Sequence, residues 1–456
     1  MRKIYLLLPV FTCMQSILYA AGFKIGLAKT NITPDVPVWM TGFAARTTPA
    51  TGILHPLWAK AMAIEDASGH RMIIVSTDLL GLPHQVSEKV ANALYEKIRI
   101  QRKEIMFNSS HTHSGPMVWP GLSMIADYSM EDQRKVSLYQ RTLTDKLVEV
   151  VLEAIKNVAP MQLSVGHGQA NFAFNRRVIT KTGVASGVNK EGVTDHDVPV
   201  IKVTAPDGTV KGVLFGYACH NTTIQGDNTL LNGDYAGFAQ INLEKRYPDA
   251  IAMFVLGCAG DQNPAPRGTI ALAQQHGDSL AKAVATVVNE KMRPIAPYIQ
   301  SSWLTTQLEF QPRSVDDYEK DMETGSVYVQ RRAKLVLEAY NRGWDTKHYT
   351  YPIQAINFGN SFYIIALAGE TVVDYSLKIK EHFKGKDLFV AGYSNEVMCY
   401  IPSERILKEG GYEANDNLIY YGMMGPFKTG IERKIMNGTI QALKAVGVSP
   451  AAHKIK

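Results

Sequence analysis

Two histidines one residue apart, His111 and His113, follow a short apolar run at residues 105–107 in the stretch NSSHTHSGP, residues 108–116. On a continuing strand alternate side chains share a face, so both imidazoles would point the same way. Neutral imidazole nitrogens suit zinc, and hydrolytic zinc sites commonly add a carboxylate to them. The alternative for such a pair is a hydrogen-bonded turn at a strand end. Two further residues share the setting. His220 closes an apolar run and opens His-Asn-Thr-Thr, and Glu370 closes another in Leu-Ala-Gly-Glu. Glu370 also opens a helical stretch, where a carboxylate complements the helix dipole. Three metal-competent residues at three strand ends favour one shared site over three unrelated structural roles.

These residues need elements to carry them. Residues 72–78, 105–111, 213–220, 251–261, 363–370 and 388–395 are short apolar runs, rich in β-branched and aromatic types, that stop abruptly in polar or small residues. Runs that are apolar throughout mark strands buried on both faces. Between many of them lie amphipathic stretches at 85–100, 133–157, 235–247, 270–290 and 371–383. Such alternation predicts a layered α/β fold, a mixed, largely parallel sheet covered by helices, with the site at the carboxyl ends of its strands. Residues 198–203 and 304–311 read as hairpin or meander strands, and 315–342 as one long charged helix. Without internal repeats or Pro/Ser-rich linkers, a single domain from about Phe23 to about Gly447 is expected.

The bulk numbers are those of an ordinary globular protein: 456 residues, 46% hydrophobic and 20% charged. Arg2 and Lys3, an uncharged run at 4–18, and the small residues Ala20, Ala21 and Gly22 have the layout of a secretory signal peptide over 1–21. Export to the periplasm or beyond is expected, and Cys13 offers a less favoured lipoprotein reading. No later segment has about 18 uninterrupted apolar residues, so no membrane span is expected. The formal charge is +6, and loss of Arg2 and Lys3 lowers it by two. So mild and scattered a charge points away from a nucleic-acid partner. Cys219, Cys258 and Cys399 are too few for a disulfide scaffold and read as small buried thiols under the site.

In the same order along the chain, KIGLAKTNITP at 24–34, HTHSGP at 111–116, Asn175-Arg176, the His220 strand end, Gly260-Asp261 and Ala-Gly-Glu370 resemble elements of the neutral, non-lysosomal ceramidases and their bacterial relatives. That resemblance implies a zinc amidase with one zinc per chain and assigns its residues. His111, His220 and Glu370 fall on the family's zinc ligands, and Tyr400, in the loop NEVMCYI, on its unusual tyrosine ligand. His113, Arg176 and Tyr412 fall on active-site groups. Zinc so held would leave room for a water, whose pKa the metal lowers to roughly 7. His113, Arg176 and Tyr412 would then stabilise the developing oxyanion, with His113 also passing a proton to the leaving amine.

The chain departs from the family where ceramidases read Gly-Asp-x-Ser-Pro-Asn, with the serine commonly treated as nucleophile. Here the loop reads Gly260-Asp-Gln-Asn263-Pro-Ala265. Asparagine cannot form an acyl-enzyme, so only the water route survives, with Asn263 available to orient water or substrate. Met117 to Pro120 put bulk where ceramidases have glycines, which predicts a pocket wall there. Because the given sequence stops soon after Tyr412, the C-terminal sandwich domain of many ceramidases is expected to be absent. The expected function is zinc-dependent cleavage of an amide in ceramide or another N-acyl lipid or amine. The rivals are the same centre acting on a carbohydrate or ester substrate, and a weakly active metal-containing binding protein.

Overall fold

The computed structural model describes residues 22–35 and 37–449; the signal-peptide and Cys13 readings lie outside them. Two sheets lie back to back with helices on both outer sides. The larger has nine strands, whose main path in spatial order is Ile251–Leu256, Val210–Tyr217, Asp197–Thr204, Ala159–Gln169, Phe23–Asn31, Trp58–Glu65, Arg71–Thr77 and Ile105–Ser109. The smaller has four: Ile299–Glu309, His348–Phe358, Phe362–Leu367 and Leu388–Ala391. Alternation along each strand divides the core. Met62, Ile64, Ile74 and Met106 of the large sheet face Ile356, Phe358, Ile364 and Phe389 of the small one. Their neighbours Ala61, Ala63, Ile73 and Phe107 turn outward under the helices His84–Ile98 and Met130–Lys156. The helices Asp234–Arg246 and Ile270–Asn289 cover the other half of that face. Val373–His382 and Ile431–Ala445 cover the back of the small sheet.

This layering corrects the expectation of a largely parallel sheet. Within the large sheet only the terminal pairs, Arg71–Thr77 with Ile105–Ser109 and Val210–Tyr217 with Ile251–Leu256, run parallel. The other pairings along it are antiparallel. The strands read as apolar throughout because a sheet in the middle of a helix–sheet–sheet–helix stack is buried on both faces whichever way its strands run. The α/β class and the five helices flanking the runs agree with the sequence reading within a few residues. The single long helix does not. Residues 315–342 form two helices, Val315–Thr324 and Val327–Asn341, divided at Gly325. A β-carbon at Gly325 would lie 2.6 Å from the carbonyl of Asp321, and Ser326 then takes the N-cap position of the second helix.

The large sheet curls, so that its two outer strands come together at one end. Asn108, on one edge strand, accepts from the N–H of Leu256 on the other at 2.8 Å and donates to its carbonyl at 3.3 Å. The same carboxamide donates to the carbonyl of Gly392 beyond the small sheet at 2.8 Å, and to Ser394 Oγ at 3.1 Å. Asn221 makes a second stitch: its side chain donates to Ser110 O at 2.6 Å, while its backbone bridges Thr112. Replacing Asn108 by alanine would orphan two or more buried backbone groups, each costing roughly 1–3 kcal/mol. We expect Asn108→Ala to lower unfolding stability by about 2–4 kcal/mol, read from the urea midpoint at unchanged slope.

His167 ties the two sheets through Asp197 and Asp387. Its Nδ1 lies 2.8 Å from Asp197 Oδ1 and its Nε2 2.8 Å from Asp387 Oδ1. Both nitrogens can donate only in the imidazolium. Partial desolvation lowers its pKa, but the two carboxylates outweigh this and raise it to about 9. A raised folded pKa contributes stability that is fully present below the ordinary value of about 6.5 and is lost as pH rises through about 9. Stability measured from pH 6 to 10 should fall across that window in the parent, and the fall should flatten in His167→Asn.

Candidate functional site

The knot of strand ends brings together residues far apart in sequence. His111 follows Ile105–Ser109, His220 follows Val210–Tyr217, and Glu370 follows Phe362–Leu367. Glu370 and Thr371 pair in parallel with Tyr400 and Ile401, which sets Tyr400 opposite Glu370. The large sheet thus contributes two ends, and the small and minor sheets one each. The strand does not continue through the His-x-His pair as expected. It ends at Ser109, and His111 has a left-handed φ of 60°. That conformation costs roughly 1–2 kcal/mol for a residue with a β-carbon. It is held by the His111 N–H donating to Leu79 O at 2.8 Å.

His111 Nδ1 lies 2.6 Å from Leu80 O, and His220 Nδ1 lies 2.7 Å from Ala259 O. A nitrogen facing a carbonyl must carry the proton, so both rings leave a lone pair on Nε2 in their neutral form. Both Nε2 atoms lie 3.1 Å from the same oxygen, Glu370 Oε2. His113 Nε2 is 3.2 Å from His111 Nε2, and the nitrogens of the three histidines lie within 4.8 Å of one another. Tyr400 Oη is 3.1 Å from His220 Nε2.

The electrostatics make this cluster hard to satisfy without a cation. Burial, together with the Arg176 guanidinium, lowers the His220 pKa to about 4. Burial and the neighbouring imidazoles hold His113 well below its ordinary value. Burial raises the Glu370 carboxyl, but the two imidazoles beside it prevail and hold it well below the carboxylate range. A neutral His220 and an ionised Glu370 therefore face each other with lone pairs, and a positive ion between them removes the conflict. His111, His113 and His220 could hold a metal ion on these grounds, and Glu370 faces two of them.

Arg176 is carried on the strand Ala173–Thr180 of a three-stranded sheet. Its Nε donates to Glu413 Oε1 at 2.7 Å, and its Nη1 lies 3.5 Å from His220 Nε2. Its guanidinium lies over the rings of Tyr400 and Tyr412, 5.2 and 5.6 Å from their centroids, while Nη2 has no partner. Glu413 also accepts from Arg177, so one buried carboxylate fixes both arginines. Asp261 supports the same strand: it accepts from Asn175 Nδ2 at 2.9 Å and from the N–H of Val373 at 2.8 Å. Burial raises its pKa to about 6. Tyr412, on a π-helical turn at Tyr412–Asp416, is 39% exposed beside Tyr400. Asn263 pairs with Phe174 in that three-stranded sheet, and its Oδ1 is buried without a partner.

Several contributors escaped sequence reasoning. Tyr421 Oη donates to Glu370 Oε1, and Tyr393 Oη lies 3.4 Å from Oε2, so the carboxylate is held from two sides. Gly42 makes room for His113: a β-carbon there would fall 2.5 Å from the imidazole. Arg46 donates to the carbonyl of His113 at 2.6 Å. None lies in a motif with metal or acid–base spacing, and only packing reveals them. Of the expected wall at residues 117–120, Val118 lines a small cavity with Pro116 and Tyr421. Met117 and Val118 are core residues, and Trp119 alone of the bulky side chains there is exposed, at 40%. The N–H of Met117 donates to Trp39 O, which turns its side chain inward. The three cysteines are free and buried, as expected.

Known proteins share this arrangement of elements. The chain is 28% identical over 250 residues to a neutral ceramidase of Pseudomonas aeruginosa, an alignment covering 53% of this chain and 37% of that protein. To a neutral ceramidase of Mycobacterium tuberculosis it is 25% identical over 259 residues, covering 53% and 40%. These alignments span well under half the length of the relatives. The crystal structure of neutral ceramidase from Pseudomonas aeruginosa superposes with a TM-score of 0.71 at 19% identity, over 94% of this chain and 75% of that one, a likeness of fold. No described helix is long and apolar enough to cross a membrane. Residues 23–302 match the family described as neutral/alkaline non-lysosomal ceramidase, N-terminal, and since that region is more than half of the sequence and carries the strand ends of His111 and His220, the chain belongs to that family.

Proposed function

We propose that this chain is a zinc-dependent hydrolase that cleaves an amide bond in ceramide or another N-acyl lipid or amine. The observation that carries the reading is the convergence of His111 and His220 Nε2 on Glu370 Oε2, each ring fixed by a carbonyl on its other nitrogen. His111, His220, Glu370 and Tyr400 would hold one zinc, which when bound polarises a carbonyl and lowers the pKa of a water to roughly 7. The remaining roles belong to the chain's own side chains. His113, neutral and with Nε2 turned toward His111 Nε2, can take a proton from the attacking water and return it to the leaving amine. Arg176 keeps a free Nη2 while Glu413 fixes its Nε, so it presents a preoriented donor to the developing oxyanion. The Tyr412 hydroxyl offers a second donor from the open side. Asn263 can orient water or substrate through its unpartnered oxygen, and no protein nucleophile is required.

Metal analysis of the purified protein should give about one zinc per chain. His220→Ala should lose it, whereas His276→Ala should retain it, because His276 stacks on Phe172 and faces Pro266 O. Glu370→Gln should lower zinc affinity; unchanged zinc content and activity in that variant would remove Glu370 from the site.

The substrate is tested with a panel of a short-chain fluorescent ceramide, N-acyl amino acids, acylated sugars and simple esters. Turnover of the ceramide or another N-acyl amine, lost in His113→Ala, is the expected result. Turnover of sugars or esters alone would favour the same centre on a different bond, and silence across the panel would favour a binding protein.

A further inference from the structure

A row of tyrosine rings leads from the candidate metal centre to the surface. Tyr400 stacks on His220, with centroids 6.1 Å apart and planes 11° apart. Tyr412 stands edge-on to Tyr400 at 5.4 Å, Tyr420 follows at 6.3 Å, and Tyr328 at 5.3 Å beyond it. All these spacings are those of interacting aromatic pairs. The outermost ring belongs to the helix Val327–Asn341, the second of the two that the sequence reads as one. That helix is anchored beside the site: Arg331 donates to Met124 O at 3.0 Å and pairs with Asp127 at 2.8 Å. Tyr420 and Tyr421 also pack on a small apolar cluster of Leu80, Leu122 and Ile125. Tyr421 in turn contacts Glu370, so the cluster runs into the site.

We infer that this row is the seat of a hydrocarbon chain of the substrate, and that Tyr328 and Tyr420 are specificity-determining residues selecting its length. The inference rests on the reading of the site as an amide hydrolase. Tyr412 is exposed and Tyr420 and Tyr328 are half-buried, so the row runs from the buried Tyr400 out to the surface. Continuity with the apolar cluster favours methylene groups over a polar headgroup. A chain laid on such a strip buries about half of each methylene, which corresponds to roughly a twofold gain in kcat/KM per added carbon.

The test measures kcat/KM over a homologous series of N-acyl substrates from acetyl to palmitoyl. In the parent the value should climb with chain length. In Tyr328→Ala and Tyr420→Ala the palmitoyl-to-acetyl ratio should fall about tenfold, chiefly through KM. Trp344→Ala, exposed after the same helix, should leave that ratio unchanged. An unaltered ratio in both tyrosine variants overturns the inference. Binding of free fatty acids from butyrate to palmitate, followed by calorimetry on the same metal-loaded proteins, separates the two readings. If no amide is cleaved, an affinity that rises with chain length in the parent and flattens in the variants still supports the seat. An affinity independent of length in the parent overturns it whatever the activity.

Discussion

The Asn108 carboxamide holds together the two edges of a curled sheet and the end of a second sheet. Through Leu256 and Gly392 it stitches together segments that would otherwise close separately. The site depends on that stitch, because His111 leaves the same strand three residues later and His220 precedes Asn221, which makes the companion stitch. A buried amide bonded at both its oxygen and its nitrogen is direction-specific in a way that apolar packing is not. Sheets that pack only through methyl and phenyl groups can slide by fractions of an ångström. Sheets pinned by Asn108 and Asn221 keep strand ends in register to the tolerance that shared ligation of one ion demands.

Around this knot the charges are paired by burial and not by exposure to water. Glu413 neutralises Arg176 and Arg177 at once, and Asp261 holds the Asn175 side chain beside them. Such a network adds little net stability, since desolvation offsets most of the Coulomb attraction. Its effect is orientation: Arg176 cannot turn away from His220 without giving up its own bond to Glu413. The lone pairs of His220 and Glu370 meet inside this network, and that is where a cation could fit.

Much of this was readable in the residues. Strand ends at His111, His220 and Glu370 follow from apolar runs that stop, and the helices between them from their amphipathic period. Other features were not readable, for definite reasons. Strand direction was misjudged because burial on both faces leaves the same signature in parallel and antiparallel sheets. The break at Gly325 was missed because the charged, helix-favouring residues on both sides carry the same period across it. Tyr393 and Tyr421 had no signal, because a tyrosine that orients a carboxylate has the composition of one that fills a core.

What the sequence determined by itself is therefore chemical: which side chains can ligate, donate or accept, and which segments must be buried to carry them. Side-chain type and local hydrophobic period are properties of single segments, so they survive without a third dimension. Only the tertiary structure decided that His111 takes a left-handed turn in place of a continuing strand, that Glu370 sits opposite Tyr400, and that one carboxylate oxygen meets two imidazoles. Those are relations between segments tens to hundreds of residues apart. They are fixed by the curl of one sheet against another, which no local pattern encodes.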